Sequence, residues 1–320
     1  MKRKRTKKNA TVIALFILFT LILASVYLIT TPTIKTNVIT EFMVEDTLPR
    51  SNEKVKVVLL AGQSNATGYS KLVHLIEKLA PNKLKKLEVG FNNVYINYFN
   101  NNGKSSSHNR FEKVRFGQGA DPLSFGPELG IASALSLKYP DQKIFIIKYT
   151  WGGTTLNKHW LSPSSNGKTG NLYTAFINFA RTSLDYLINK GYDISLDATC
   201  WMQGESDGDS TEFYKYEDNL KNFIDDVRKD LSKYPSQKGL YFIDAGISNS
   251  PQWKAYKQIN EAKKKVSELS PLNVFIDTIS NDLSFNTEPQ PIVDIWHYDA
   301  LSELKLGILF AKEIISIYEK

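Results

Sequence analysis

Four short stretches of this chain bring together residue types suited to acyl chemistry. Gly62-Gln63-Ser64-Asn65 offers a hydroxyl, and Trp151-Gly152-Gly153-Thr154 offers backbone N–H groups where a pair of glycines lets a substrate come close. Gln203-Gly204-Glu205-Ser206-Asp207 offers an amide and two carboxylates, and Asp294-Ile295-Trp296-His297 offers an imidazole with a carboxylate three residues before it. A serine hydroxyl is barely ionised near neutral pH, so Ser64 needs a base to become a nucleophile. The chain has four histidines. His74 sits in an amphipathic segment, His108 in a Ser- and Asn-rich loop and His159 in a loop before Trp160. Only His297 has a carboxylate at a spacing that lets it bond one ring nitrogen on a turn, fixing the tautomer so that the other nitrogen can take the Ser64 proton. A tetrahedral intermediate also needs hydrogen-bond donors for its oxyanion. The Gly152-Gly153 N–H groups and the Gln203 amide are candidates. Glu205 and Asp207 could instead pair as acid and base, although two carboxylates two apart are common in loops.

These stretches need a scaffold that gathers them. Lys54 onward reads KVKVVLLAG, and similar apolar runs recur at Lys143–Tyr149, Leu196–Gln203, Leu240–Ile247 and Asn273–Ile279. Between them lie helical patterns. Phe176, Phe179, Ala180, Ser183, Leu184, Leu187 and Ile188 share one helix face, with Gly191 as the stop. Strands alternating with helices predict a three-layer α/β/α sandwich, flavodoxin-like, around a mainly parallel sheet of about five strands. In such sheets ligands bind beyond the C-terminal strand ends, where the four stretches fall. The segment Asn92 to Gly119, rich in Asn, Ser and Gly, breaks the alternation and predicts an extra strand with loops on the substrate side.

Composition excludes other classes. Six of the seven net positive charges come from the first eight residues, MKRKRTKK; without their six Lys and Arg, 34 basic residues face 33 acidic ones. The body is nearly neutral, which argues against nucleic acid as a partner. A single Cys rules out an intrachain disulfide framework and Cys-rich zinc modules. No metal signature, phosphate loop or dinucleotide fingerprint is visible, so no metal or cofactor is expected. Thr11 to Thr31 is apolar and uncharged, long enough to cross a bilayer and longer than the core of a cleaved signal peptide. The expected organisation is a basic cytoplasmic tail over 1–10, a transmembrane signal anchor over 11–31, a linker over 32–53 and a catalytic domain over 54–320 facing outward; the alternative is a secreted body after cleavage.

Taken together, LLAGQSNATG, FGPELGIASAL, KYTWGGTTL, WMQGESDG and DIWHYDALSELKLG resemble the SGNH (GDSL-like) hydrolase superfamily. More narrowly they resemble its sialate O-acetylesterase-type domain, which includes acetylxylan esterases of carbohydrate esterase family six. The resemblance covers about Val55 to Ile317, with the blocks in the family's order. It implies a serine esterase acting on O-acetyl esters of carbohydrate through an acyl-serine, with Ser64 as nucleophile, His297 as base and Asp294 as its orienting partner. It implies an oxyanion hole of the Ser64 N–H, a glycine N–H and the Gln203 side chain. Gly153 is preferred to Gly152 there because Gly153-Thr154 matches the superfamily's Gly-Asp-Thr block. Glu205 is the alternative orienting residue. His297-Tyr298 departs from the commoner His-Pro, which bears on how the last helix is entered. An acyltransferase with the same triad and a non-catalytic carbohydrate-binding module are the competing readings.

Overall fold

The computed structural model describes residues 37–234, 236–289 and 293–319. The basic tail and the expected anchor lie outside the described residues. Among the described residues no helix is long and apolar enough to cross a membrane.

The central strand is β1 (Lys54–Gly62), whose Val57 to Ala61 are all fully buried. Successive strand residues point to opposite faces, so both faces of the sheet are covered. In chain order there follow a one-turn helix α1 (Ser64–Thr67), α2 (Pro81–Val89), β2 (Val94–Asn100), α3 (Pro127–Lys138), β3 (Ile144–Thr150), α4 (Asn171–Asn189) and β4 (Asp193–Met202). A short turn α5 (Glu205–Gly208), α6 (Tyr216–Asp230), β5 (Tyr241–Ala245), α7 (Tyr256–Glu268), β6 (Asn273–Ile276) and α8 (Ala300–Glu319) complete the domain. The sheet order is β6-β5-β4-β1-β3-β2, all parallel. Two two-residue strands, Ser105–Ser106 and Glu112–Lys113, add antiparallel to β2.

The α/β architecture thus matches the expectation, with six long parallel strands rather than five. The sixth is β2, VYINYFN, inside the segment that breaks the alternation. Its β-branched and aromatic residues suit a pleated surface, and it pairs with β3 along its full length. The linker needs a second correction. Residues from Val38 onward join the body: Phe42 packs edge-on against Phe99 and Phe179 at 5.2 and 5.1 Å, and Leu48 N–H donates to Tyr186 Oη at 2.9 Å. An aromatic side chain placed over the core has more to gain by burial than by solvation, and this fixes the chain well before β1.

Parallel register aligns the strand ends. Gly62 lies opposite Thr150 of β3 and Met202 of β4, and Thr150 lies opposite Asn100 of β2. The residues that follow (Gln63-Ser64, Trp151-Gly152-Gly153, Gln203-Gly204-Glu205 and Asn101) therefore leave the sheet side by side. The connections diverge around β1, between β3 and β4, the point where open α/β sheets form their ligand crevice.

Candidate active site

Ser64 is the first residue of α1 and is 8% exposed. The turn after β3 presses against it: a Cβ on Gly152 would lie 3.3 Å from Ser64 Cβ. Gly152 is needed for that approach. Gly153 is needed for its φ of 69°, and a Cβ there would meet nothing within 4 Å, so this edge of the turn faces open space. The Gly152 N–H is already committed to Asn101 Oδ1 at 2.9 Å.

Asp294 Oδ2 accepts from His297 Nδ1 at 2.8 Å, with both side chains partly exposed. The same carboxylate also accepts the Trp296 and His297 backbone N–H groups. Burial raises the Asp294 carboxyl, but the hydrogen bond and charge of His297, with those two N–H groups, outweigh it and hold it below the usual carboxylate range. The turn thus fixes ring orientation and keeps the carboxylate ionised. No hydrogen bond joins Ser64 Oγ to His297 among the described residues. Their neighbours join them instead: Asn65 Oδ1 accepts the Tyr298 N–H at 3.1 Å, tying the serine's helix to the residue after the histidine. A proline at 298 would have no N–H to give, so His297-Tyr298 makes this tie possible. Entry into α8 is secured by Asp299, whose carboxylate caps the Ser302 N–H at 2.8 Å.

Glu205 is not on the imidazole. Its Oε1 accepts from Asn65 Nδ2 at 2.6 Å, its Oε2 is buried without a partner, and burial raises its carboxyl despite the Asn65 bond. Asp294 occupies the position beside His297 that Glu205 was the alternative for.

Gln203 also departs from expectation. It is fully buried, and its Nε2 lies 3.0 Å from Thr154 O, 2.6 Å from Asp207 Oδ2 and 3.2 Å from Gln63 Oε1. Two N–H groups already have three acceptors, so none is left for an oxyanion. Asp207 meanwhile accepts the Leu156 and Asn157 N–H groups. Gln203 and Asp207 therefore hold the Trp151–Asn157 turn from behind. The physical reason is the close of β4: the side chain after Met202 points into the packed interior among polar turn groups, which need partners when buried.

The remaining histidines stand apart from this arrangement. His159 Nδ1 accepts the Thr155 N–H at 2.9 Å, and burial, with Lys158 nearby, lowers its pKa. Two residues at the site carried no chemical signal in the sequence. Tyr69 stacks on His297, ring centroids 4.3 Å apart and planes 4° apart, and Asn101 donates to Tyr69 Oη at 3.3 Å. Their only hints were an aromatic five residues after the serine and an Asn-rich stretch after β2.

Against known proteins, a model of the carbohydrate esterase, sialic acid-specific acetylesterase family matches residues 54–316. The chain belongs to this family. No curated protein matches its sequence. Among solved structures, this esterase is similar to a protein from Arabidopsis thaliana, with a TM-score of 0.60, 18% identity and coverage of 82% of this chain and 98% of that one. It is also similar to NanS, with a TM-score of 0.59, 15% identity and coverage of 84% and 99%. A carbohydrate acetylesterase from Xanthomonas citri gives a TM-score of 0.56 at 15% identity, covering 82% of this chain and 57% of that one. At such identities the likeness is one of fold.

Proposed function

We propose that this carbohydrate esterase removes O-acetyl groups from a glycan through an acetyl–Ser64 intermediate. Ser64 Oγ attacks the acetyl carbonyl carbon while His297 Nε2 takes its proton, and Asp294 steadies the Nδ1–H of the resulting imidazolium. The N–H groups of Ser64 and Gly153 meet the oxyanion; Gly153 is chosen because the Gly152 N–H is spent on Asn101. Collapse breaks the ester C–O bond, and His297 returns the proton to the departing sugar oxygen. Water then attacks the acyl-serine with His297 as base; acetate leaves and Ser64 regains its proton. The observation that carries the reading is the 2.8 Å Asp294–His297 bond on a turn tied, through Tyr298 and Asn65, to the serine's helix.

The test is release of acetate from acetylated sialic acids, xylans and cell-wall glycans by the wild type and Ser64→Ala. The expected result is release from at least one class by the wild type and none above background by the variant; substantial activity in Ser64→Ala would assign the nucleophile elsewhere. The uncharged Thr11 to Thr31 run behind a basic tail supports an anchored, outward-facing enzyme acting on polymers near the cell surface. Digestion of intact cells with an impermeant protease tests this, since a catalytic body cut only after lysis would face the cytoplasm.

A further inference from the structure

Tyr69 and Asn101 have no step in the reaction above, yet both reach its centre. Asn101 follows β2 with a φ of 48°, in the left-handed region that asparagine tolerates better than most residues. Both ends of its side chain are used. Oδ1 accepts the Gly152 N–H at 2.9 Å and Nδ2 donates to Tyr69 Oη at 3.3 Å. Tyr69 lies flat against His297 at 4.3 Å. A Cβ built on Gly152 would lie 3.5 Å from Tyr69 Oη and 3.6 Å from Asn101 Oδ1, besides its 3.3 Å contact with Ser64. Nucleophile, base and oxyanion turn thus share one pair of intermediaries.

We infer that Tyr69 and Asn101 are positioning residues for the hydrolysis: Tyr69 offers its ring face to the imidazolium that His297 becomes, and Asn101 ties that ring to the Gly152-Gly153 turn so that base and oxyanion donor keep one spacing. The inference rests on the Ser64–His297 reading above. An aromatic face attracts a cation far more than a neutral ring, so the stack strengthens when the Ser64 proton arrives. An interaction stronger in the transition state than in the ground state raises kcat, whereas one equal in both lowers KM. The Asn101 bonds act differently. A misplacement of about 1 Å in such a site can cost about 100-fold, and these bonds resist it. The charged groups facing His297 are Asp294, on its Nδ1, and the buried Glu205; the variants below alter neither.

The experiment is kcat and KM across the pH range, on p-nitrophenyl acetate and an acetylated sugar, for Tyr69→Leu, Tyr69→Phe and Asn101→Gly, with melting curves for each. Glycine at 101 keeps the left-handed backbone while removing the tie. Tyr69→Leu should lower kcat about 2- to 30-fold with KM little changed. It should also move the acidic limb of the kcat/KM profile to lower pH, because the protonated ring loses its partner. Tyr69→Phe should leave that limb in place with a smaller loss of kcat, and Asn101→Gly, which also frees the Gly152 N–H, should lose at least as much as Tyr69→Phe. An acidic limb that stays, or moves to higher pH, in Tyr69→Leu would mean the ring merely shields His297 from water, and would overturn the inference. Should Tyr69→Leu not fold, the other two decide: a loss of kcat in both, no smaller in Asn101→Gly, supports the tie, and wild-type kcat in both overturns it. Ser64→Ala in the same assay keeps the two claims apart, because an active Ser64→Ala sinks the nucleophile reading, whereas a dead one beside wild-type Tyr69 and Asn101 variants sinks only this inference.

Discussion

The two flanks of β1 hold α1 in opposite electrical styles. On the β3 side, Lys148 is fully buried and its Nζ reaches Thr67 O at 2.8 Å, Gln118 O at 3.1 Å and Glu128 Oε2 at 2.7 Å. Glu128 Oε1 accepts the Gly126 N–H at 2.8 Å, so the ammonium and both carboxylate oxygens of this pair have partners. Beyond the ends of β4 and on β5, burial raises the buried carboxyls of Glu205, Asp207 and Asp244, the last pushed up to about 6 despite its ion pair with Lys263. Glu205 Oε2 and Asp244 Oδ2 are buried without partners. One flank fixes position with a matched ion pair, beside which burial pushes the Glu303 carboxyl well up. The other carries carboxyls that burial raises, which couples its stability to pH.

The largest expected effect comes from breaking the matched flank. Lys148→Met takes the ammonium away from the buried Glu128 Oε2 and should cost about 3–5 kcal/mol of stability in urea unfolding. Adding Glu128→Gln should recover part of that loss, because no charge is then stranded. A loss under about 1 kcal/mol in the single variant would show the flank to be less matched than its geometry.

A middle-sized effect separates holding the oxyanion turn from serving it. Gln203→Leu should destabilise by about 1–3 kcal/mol through its stranded acceptors and lower kcat as the turn drifts. Asp207→Asn, which disturbs the same bonds from further back, should lower kcat in parallel. If Asp207→Asn leaves kcat intact while Gln203→Leu abolishes it, Gln203 acts on the substrate and not through the turn.

The smallest effect sharpens the loaded flank. Glu205→Gln keeps an acceptor for Asn65 and removes an acid whose folded-state pKa is raised. Such a group favours the fold at pH below its unfolded value, near 4, and that benefit is lost as pH rises through the folded value. The wild type should therefore lose stability relative to Glu205→Gln between acidic and neutral pH. Denaturation midpoints that run parallel across that range would mean Glu205 titrates in the fold as it does unfolded.

Much of this was legible in the sequence, for identifiable reasons. Val-rich runs ending in Gly, Trp-Gly-Gly and Gln-Gly-Glu mark parallel strand ends, and parallel register carries their followers to one edge. Asp-x-x-His on a turn announces its own hydrogen bond. What stayed hidden depends on distances along the chain that no local pattern records. Gln203 reads as a donor but faces inward, because its acceptors at Thr154 and Gln63 lie 49 and 140 residues away. Nothing local in KIFIIKY or PELGIASAL marks Lys148 and Glu128 as a pair, because they lie 20 residues apart on a strand and a helix. The Phe42 stretch reads as linker because a single aromatic shows no period.

The central claim, that Ser64 carries the acetyl group, is tested most directly by trapping. Rapid acid quench of the enzyme with excess acetylated substrate, followed by peptide mapping in a mass spectrometer, should find one acetyl group on the peptide bearing Ser64, and none there in His297→Ala quenched at the same time. An acetyl group on any other side chain that forms and decays at the turnover rate, with Ser64 unmodified, would contradict the account.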